Sequence, residues 1–412
     1  MSKIEELIEK LCPNGVEFKK LEEITKSINI GINPRKFFKL NPADSTGFYV
    51  TVRELNGLKG VKEYEKTDKI NDEAIQIINN RANIEKGDIL FSNTGTVGKL
   101  ALVNETPTNW GVNEGIYIIK PIEEKILSRY LYYYLDSSHA YKDYSSKFTG
   151  STLKHVTQKA LASLIVAVPP LEVQCEIVHI LDDFTLLSAL LSAELKARQK
   201  QYEYYNYNLL KFENIPYYTL EELCDIVDYR GKTPKKTNEG IFLVTAKNIR
   251  KGYIDYEKSQ EFISEQDYAE VMRRGMPKVG DVLITTEAPC GNVAQVDDEN
   301  IALAQRVIKY RPKDNRLDST FLKYILLGEE FQTKLNGKAT GGTVKGIKGS
   351  ILHKLTIPLP SIEEQRKIVK ILDRFNKLCN DISEGLPAEI NARQKQYEYY
   401  RDKILTFKMI GD

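Results

Sequence analysis

Histidine, tryptophan and cysteine are scarce in this chain of 412 residues, with four, one and five copies respectively. The histidines (His139, His155, His179, His353) lie far apart and form no metal-spaced pair. The five cysteines (Cys12, Cys175, Cys224, Cys290, Cys379) are scattered, odd in number and without a Cys-x-x-Cys, which speaks against a zinc site or a disulfide framework and fits a reducing compartment. No apolar run reaches membrane-spanning length, and the charged start of the chain does not resemble a signal peptide. The expectation is a soluble, cytoplasmic protein. Excess charge is also missing: 59 Lys and Arg against 57 Asp and Glu leave +2. A polyanion-binding surface must therefore come from local placement of basic residues rather than from the field of the whole molecule. Enzyme signatures are absent as well. There is no Gly-x-Gly-x-x-Gly cofactor loop, and the only Pro-Pro pair, Val168-Pro169-Pro170-Leu171, lacks the preceding Asp or Asn of an amino-methyltransferase motif and more simply precedes a helix. Thr94-Gly95-Thr96-Val97-Gly98-Lys99 misses the phosphate-loop spacing, with Leu100 where a hydroxyl would reach magnesium. No cofactor or metal is expected on this chain.

What the sequence does contain is itself, twice. Ala197-Arg198-Gln199-Lys200-Gln201-Tyr202-Glu203-Tyr204-Tyr205 returns unchanged at Ala392 to Tyr400, an offset of 195. Gln174 to Asp182 aligns with Gln365 to Asp373 at an offset of 191, and Thr149 to Lys154 with Thr340 to Lys345 at the same offset. Gly87-Asp88-Ile89-Leu90 matches Gly280-Asp281-Val282-Leu283 at 193. The landmarks keep one order, so the chain is two copies of one design, the second four residues longer.

Each copy begins with short β-rich runs and one helical segment, and ends in a long helix. In the first, Phe48 to Val52, Ile89 to Ser92 and Gly115 to Ile119 read as strands and Ser128 to Asp136 as a helix; Ser2-x-x-Glu5 opens a short helix that Pro13-Asn14-Gly15 stops. In the second, Ile241 to Thr245, Val282 to Thr286 and Ala304 to Tyr310 read as strands and Ser319 to Phe331 as a helix. The first long helix has a 4-3 spaced seam at Ile177, Leu181, Phe184, Ser188, Leu191, Leu195, Arg198, Tyr202, Tyr205, Leu209 and Phe212. The second has Ile368, Leu372, Phe375, Cys379, Ile382, Leu386, Ile390, Arg393, Tyr397, Tyr400, Ile404 and Phe407, with a stutter beside Gly385 and Pro387 that predicts a kink or restart. These patterns predict two α/β (α+β) domains at 1–167 and 215–357, and spacer helices in 168–214 and 358–412. Because domain ends lie close together, the helices are expected to pair antiparallel, as a rod of roughly 60 Å for 41 residues and a pseudo-twofold internal repeat.

The duplicated Ala-Arg-Gln-Lys-Gln-Tyr-Glu-Tyr-Tyr segment, the Pro169-Pro170-Leu171 and Leu359-Pro360-Ser361-Ile362 helix entries, the Gly-Asp-Ile/Val-Leu landmarks, and Arg230-Gly231-Lys232-Thr233-Pro234 followed by Val244 to Ile249 resemble the specificity subunit of type I restriction-modification systems over essentially the whole chain. The resemblance implies a non-catalytic protein whose two target-recognition domains each read one half of a split, asymmetric DNA site. It implies partners too: double-stranded DNA, two methyltransferase subunits on the paired helices, and restriction subunits through the complex. S-adenosylmethionine, ATP and magnesium would belong to those partners. The first domain departs from the pattern, since Gly31 to Lys39 lacks Gly-Lys-Thr-Pro. The alternative is a coiled-coil scaffold joining two protein partners, which predicts no DNA affinity.

Several loops carry the residue types that DNA contact needs. Ser92, Asn93, Thr94, Thr96 and Lys99 suit phosphate and base-edge contacts or form a plain turn. Thr149, Ser151, Thr152 and Lys154, and their counterparts Thr340, Thr343, Lys345 and Lys348, lie on loops that contact phosphate or merely shape the domain. In the second domain, Arg230, Lys232, Thr233, Lys235 and Lys236 suit phosphates, and Thr245, Lys247, Asn248 and Arg250 follow, with Asn248 or Arg250 as base readers. On the helices, Tyr202, Tyr205, Tyr397 and Tyr400 belong to the seam, whereas Gln199, Lys200 and Tyr204, repeated as Gln394, Lys395 and Tyr399, face outward as one partner surface used twice. The tandem Leu186-Leu187-Ser188-Ala189, Leu190-Leu191-Ser192-Ala193 adds roughly 6 Å of helix per four residues. Deleting Leu190 to Ala193 is expected to shorten the DNA spacer preferred, and an unchanged methylation motif would refute it.

Overall fold

The computed structural model describes residues 3–150, 154–229, 234–341, 345–381 and 384–411. Its contacts divide into two compact units, Met1–Ser192 with Ile390–Asp412, and Ala193–Glu389.

The strand signal comes from apolar runs rather than from alternation, and the sheets show why. In the first unit the strands Thr25–Ile30, Ile116–Pro121, Ile89–Ser92 and Leu100–Leu102 lie side by side in that order, all antiparallel. Ile89, Phe91, Tyr117 and Ile119 enter one core with Tyr130 and Tyr133 of helix Ser128–Leu135. Leu90, Ala101, Ile116 and Ile118 enter another, against Ile75 and Ile78 of helix Asp72–Ala82. Both faces of the central strands are dry, so Ile89 to Phe91, Leu100 to Leu102 and Ile116 to Ile119 are apolar without alternation, and each fully buried large side chain contributes about 1.5–3 kcal/mol. A second sheet, Lys69–Ile70, Gly47–Val50 and Trp110–Val112, backs the latter core, its last two strands parallel.

The second unit repeats this. Cys224–Asp228, Val307–Pro312, Val282–Thr285 and Val293–Gln295 form the antiparallel sheet. Lys236–Thr237, Phe262–Ile263, Ile241–Val244 and Ile301–Leu303 form the other, again closed by a parallel pair. The expected strand Ala304 to Tyr310 starts only at Val307. Ile301–Leu303 belongs to one sheet and Val307–Pro312 to the other, and the chain crosses between them through Ala304, Gln305 and Arg306. The expected helix Ser319 to Phe331 is interrupted: it ends at Leu327, and a second helix starts at Glu329. Gly328 between them is extended, φ −65° and ψ 149°, capping one helix and opening the next, at the residue with the poorest helix propensity after proline.

The Gly-Asp landmarks are turns that end in buried charge. Gly87 and Gly280 both sit at φ +93°, where a side chain is disfavoured. Asp88 then meets Lys120 Nζ at 2.7 Å, and Asp281 meets Arg311 Nε at 2.6 Å. Burial raises the Asp88 carboxyl above its ordinary range despite Lys120, and lowers the ammonium of Lys309 beside Asp281.

The long helix Leu171–Leu209 contributes to both units, and its seam is made of rings. In the first unit Phe184 stacks on Tyr400 at 5.8 Å and lies 6.5 Å from Tyr397. In the second Phe375 stacks on Tyr205 at 5.3 Å and lies 6.5 Å from Tyr202. Tyr205 and Tyr400 lie at the rim of the seam, on the exposed side of half-buried. The expected stutter is a true break. Helix Ile362–Asn380 ends, Gly385 donates to Asp381 O, and helix Leu386–Ile404 restarts with Pro387 in its first turn, where no N–H is needed. Ile382 lies outside the described residues.

At each helix entry one glutamine is wholly buried. Gln174 accepts from Leu127 N at 2.9 Å and donates to Lys125 O and Pro169 O at 3.0 and 2.8 Å. Gln365 accepts from Asp318 N at 2.8 Å and donates to Arg316 O and Pro360 O at 2.7 and 2.9 Å. Removing either side chain takes the partner from three backbone groups, of which the proline carbonyl makes a buried bond and the other two part-buried ones. Gln174→Ala or Gln365→Ala is expected to destabilise its unit by about 3–5 kcal/mol, read as a lowered urea midpoint; an unchanged midpoint would contradict the role given to the amide.

Candidate nucleic-acid interface

Part of the expected DNA-contacting residues falls into two matching groups, one per unit. In the first, the backbone of His155 bridges both Thr94 and Thr149, with Thr149 N to His155 O at 2.9 Å and the reverse bond at 3.0 Å. In the second, Gly346 bridges Glu287 and Thr340 in the same way, at 2.9 and 2.8 Å. Each loop is thereby pinned across the end of the strand that follows the Gly-Asp turn. Thr94, Thr149 and Lys154 are brought together in one unit, and Thr340, Lys345 and Lys348 in the other. Ser151, Thr152 and Thr343, which belong to these loops, lie outside the described residues, as do Arg230, Lys232 and Thr233.

Side-chain chemistry differs where the backbone does not. Thr94 Oγ1 is 2.9 Å from His155 Nδ1 and 2.6 Å from Asn93 Oδ1. In the second unit Glu287 Oε1 meets Arg306 Nε at 2.6 Å, and an open cleft of about 470 Å³ is lined by Thr286, Glu287, Gln305, Arg306, Thr340 and Lys348 among others.

Three of the expected contact residues are internal. Ser92 is fully buried, donates to Thr96 O at 2.5 Å and accepts from Lys99 N at 2.7 Å. Asn93, 1% exposed, donates to Glu114 O at 3.0 Å. Asn248 is 0% exposed and fully committed: Oδ1 accepts from Thr245 N and Oγ1 at 2.9 and 2.8 Å, and Nδ2 donates to Asp255 O and Ser259 O at 3.0 and 3.1 Å. An amide with all four bonds taken inside the fold has none for an adenine edge. The base-reading role expected of Asn248 is thus corrected to a structural one. Lys99 Nζ is also engaged, with Val52 O at 2.9 Å and Arg53 O at 3.2 Å, which holds the following turn. Thr96, Lys235, Lys236 and Lys247 are exposed, and Thr245 and Arg250 half-buried. Lys236 pairs with Glu261 at 2.7 Å and Arg250 with Asp255 at 3.2 Å.

The Asn248 turn has a twin that sequence reading passed over. Thr51 N and Oγ1 donate to Glu54 Oε2 at 2.9 and 2.6 Å, repeating Thr245 and Asn248 with a carboxylate. Burial alone would raise Glu54, but bonds from Thr51, Arg53 and Thr67 outweigh it and hold its carboxyl below the ordinary range. Arg53 occupies the place of Lys247, and the signal was the shared Thr-x-Arg/Lys-x ahead of an aliphatic residue in Thr51 to Leu55 and Thr245 to Ile249. Glu287, Gln305 and Arg306 were also missed, since they lie outside any Gly, Thr or Lys-rich stretch.

On the helices, Tyr204 and Tyr399 are 66% and 63% exposed, each edge-on to its neighbour at 5.7 and 5.4 Å. Gln199, Lys200, Gln394 and Lys395 are exposed beside them. Among the described residues, no helix is long and apolar enough to cross a membrane, and no group of three His, Cys, Asp or Glu could hold a metal ion.

Comparison with known proteins gives this geometry its setting. The type I restriction modification DNA specificity domain matches residues 13–198 and again 213–392. The chain is 34% identical over 303 residues to the EcoR124I/EcoR124II type I restriction enzyme specificity subunit of Escherichia coli, covering 69% of this chain and 72% of that protein. It is 28% identical over 418 residues to a putative type I restriction enzyme specificity subunit of Haemophilus influenzae, covering 97% and 98%. This chain belongs to the type I restriction-modification specificity subunit family. The fold agrees: a chain from a type I R-M system solved for its complex assembly and conformational transition superposes with a TM-score of 0.64 at 20% identity, covering 95% of this chain and 98% of that one. The HsdS subunit from Thermoanaerobacter tengcongensis gives 0.50 at 20% identity, covering 97% and 98%.

Asn248→Ala is expected to destabilise the second unit by about 2–4 kcal/mol, measured by urea unfolding, while the DNA sequence bound stays the same. A changed sequence preference at wild-type stability would restore Asn248 as a reader.

Proposed function

We propose that this chain is the sequence-reading subunit of a type I restriction-modification complex, each unit taking one half of a bipartite, asymmetric DNA site. The observation that carries the reading is the repetition of one frame with different chemistry upon it. The Gly-Asp turns, the buried glutamines and the loop-pinning bridges recur. The cleft side chains do not: Thr94 and His155 in one unit stand where Glu287 and Gly346 stand in the other. A shared scaffold with unlike readers suits two unlike half-sites at a fixed separation, and duplex DNA presents such sites about 34–36 Å apart per turn. The scaffold alternative accounts for the helices but leaves the paired, backbone-pinned loops without a use.

The chain contributes recognition and no chemistry. Methylation of adenine and ATP-driven cleavage belong to partner subunits, which would bring S-adenosylmethionine, ATP and magnesium, and the assembly would work in the cytoplasm on cellular DNA. Gln199, Lys200 and Tyr204, repeated as Gln394, Lys395 and Tyr399, supply one exposed surface twice, which supports the docking of two copies of a methyltransferase subunit.

Co-expression with the methyltransferase subunit, followed by mapping of methylated adenines on a plasmid, tests the whole reading. One split, non-palindromic motif appearing only with both proteins is the expected result, and a stable complex that methylates nothing would refute it. Lys235 and Lys236 are assigned to phosphates. Lys235→Ala with Lys236→Ala should weaken binding to every duplex alike and lower the salt-dependence slope by about one to two units, less if Glu261 already offsets Lys236. An effect confined to the cognate site would overturn that assignment.

A further inference from the structure

We propose that Arg306, oriented by Glu287, reads a guanine through the major groove in the half-site taken by the second unit. This rests on the DNA-reading function above and goes beyond it by naming the residue and the base.

Arg306 sits at the point where the chain leaves one sheet for the other, between Ile301–Leu303 and Val307–Pro312. Its φ is +73°, a left-handed conformation uncommon for a residue with a side chain. The fold holds it there: Thr286 donates to Arg306 O twice, from N at 2.9 Å and Oγ1 at 3.3 Å. Strain retained by surrounding bonds is characteristic of positions where function sets the geometry.

The side chain is constrained at its root and open at its tip. Arg306 Nε lies 2.6 Å from Glu287 Oε1, with the arginine side chain 55% exposed and the glutamate 41%. At that exposure the pair contributes little to stability. Its effect is directional. The main chain of Glu287 is held by its bridge to Gly346, so the guanidinium pairs with a carboxylate whose backbone is pinned. With Nε occupied, the two terminal nitrogens keep the paired donors that match O6 and N7 of guanine, the commonest specific arginine contact with a base. The cleft around it, about 470 Å³, is lined among the described residues by Thr286, Gln305, Thr340, Gly346, Ile347 and Lys348 besides the pair, room enough for a base edge.

The first unit serves as an internal control. The bond from Thr286 N to Arg306 O corresponds to that from Asn93 N to Gly115 O, so Gly115 occupies the place of Arg306, and Thr94 that of Glu287. That unit cannot read guanine in this manner. The same position therefore gives the two halves different requirements, which is what an asymmetric site demands.

The test uses the full chain in complex with its methyltransferase subunits and a pool of random-sequence duplexes, from which bound molecules are recovered and sequenced. Wild type should yield a split motif. Arg306→Ala should lose one G·C requirement in one half, discrimination there falling about 5- to 150-fold, with the other half intact and affinity for random duplex within about twofold. Glu287→Gln, which keeps shape and removes the charge, should weaken the same position and no other. Urea midpoints of both variants should match wild type. The wild-type motif recovered at full strength from Arg306→Ala would overturn the inference and leave the DNA-reading function standing. So would loss of a requirement other than G·C, or loss of the entire half-site at unchanged stability, which would make Arg306 a support for the cleft. If wild type itself selects no motif, the DNA-reading function fails and takes the inference with it.

Discussion

Gln174 and Gln365 each tie three segments of the chain together through one amide. The helix that carries the glutamine, the proline-bearing turn before it and the loop leading into the domain's buried helix all end in backbone groups that this side chain satisfies. In water those bonds would be worth little; buried, their loss is what costs. The amide fixes the rotation of the long helix against its own domain. Positions further along it then follow by the helical repeat: Asp182 meets Tyr133 and Arg129, Asp373 meets Tyr324, and Phe184 and Phe375 reach their paired tyrosines. Within the duplicated nine-residue segment, Gln199, Lys200 and Tyr204 and their second copies are exposed.

Upon this frame the contact surfaces are set by backbone bonds rather than by side chains. Thr149 with His155, and Thr340 with Gly346, are joined by main-chain bridges that do not depend on which side chains surround them. Those side chains are accordingly free to differ, as Thr94 with His155 and Glu287 with Arg306 do. Separation of a main-chain scaffold from side-chain readers lets one architecture serve two different half-sites within a single polypeptide. Buried charge has the opposite character: Asp88 and Asp281 are interior and repeated, and with Lys120 and Arg311 they hold the turn rather than read anything.

The repeat, the family resemblance and most element positions were legible from the sequence because they depend on local pattern. Ile89 to Ser92 matched its strand residue for residue, and the Gly385 to Pro387 break fell where the stutter placed it, since a lost hydrophobic phase and a helix breaker are both local signals. Errors arose where a non-local partner decided. Asn248 looked like a base reader by residue type, but its four bonds come from residues up to Ser259 that close around it. Ala304 to Arg306 looked like the start of the strand that follows, although they are the crossing from one sheet to the other.

By itself the sequence determined that there are two copies of one α/β design, each with a long helix, and that the chemistry of catalysis is not among its motifs. Periodicity, turn residues and duplication carry that information along the chain. Tertiary structure alone decided which polar residues are spent inside the fold and which remain for a partner, because a side chain's hydrogen-bond capacity is claimed by neighbours that sequence distance does not reveal. Asn248 and Arg306 mark the two outcomes: a promising amide consumed by four internal bonds, and an unremarked arginine held by one carboxylate with its outer nitrogens left for a base.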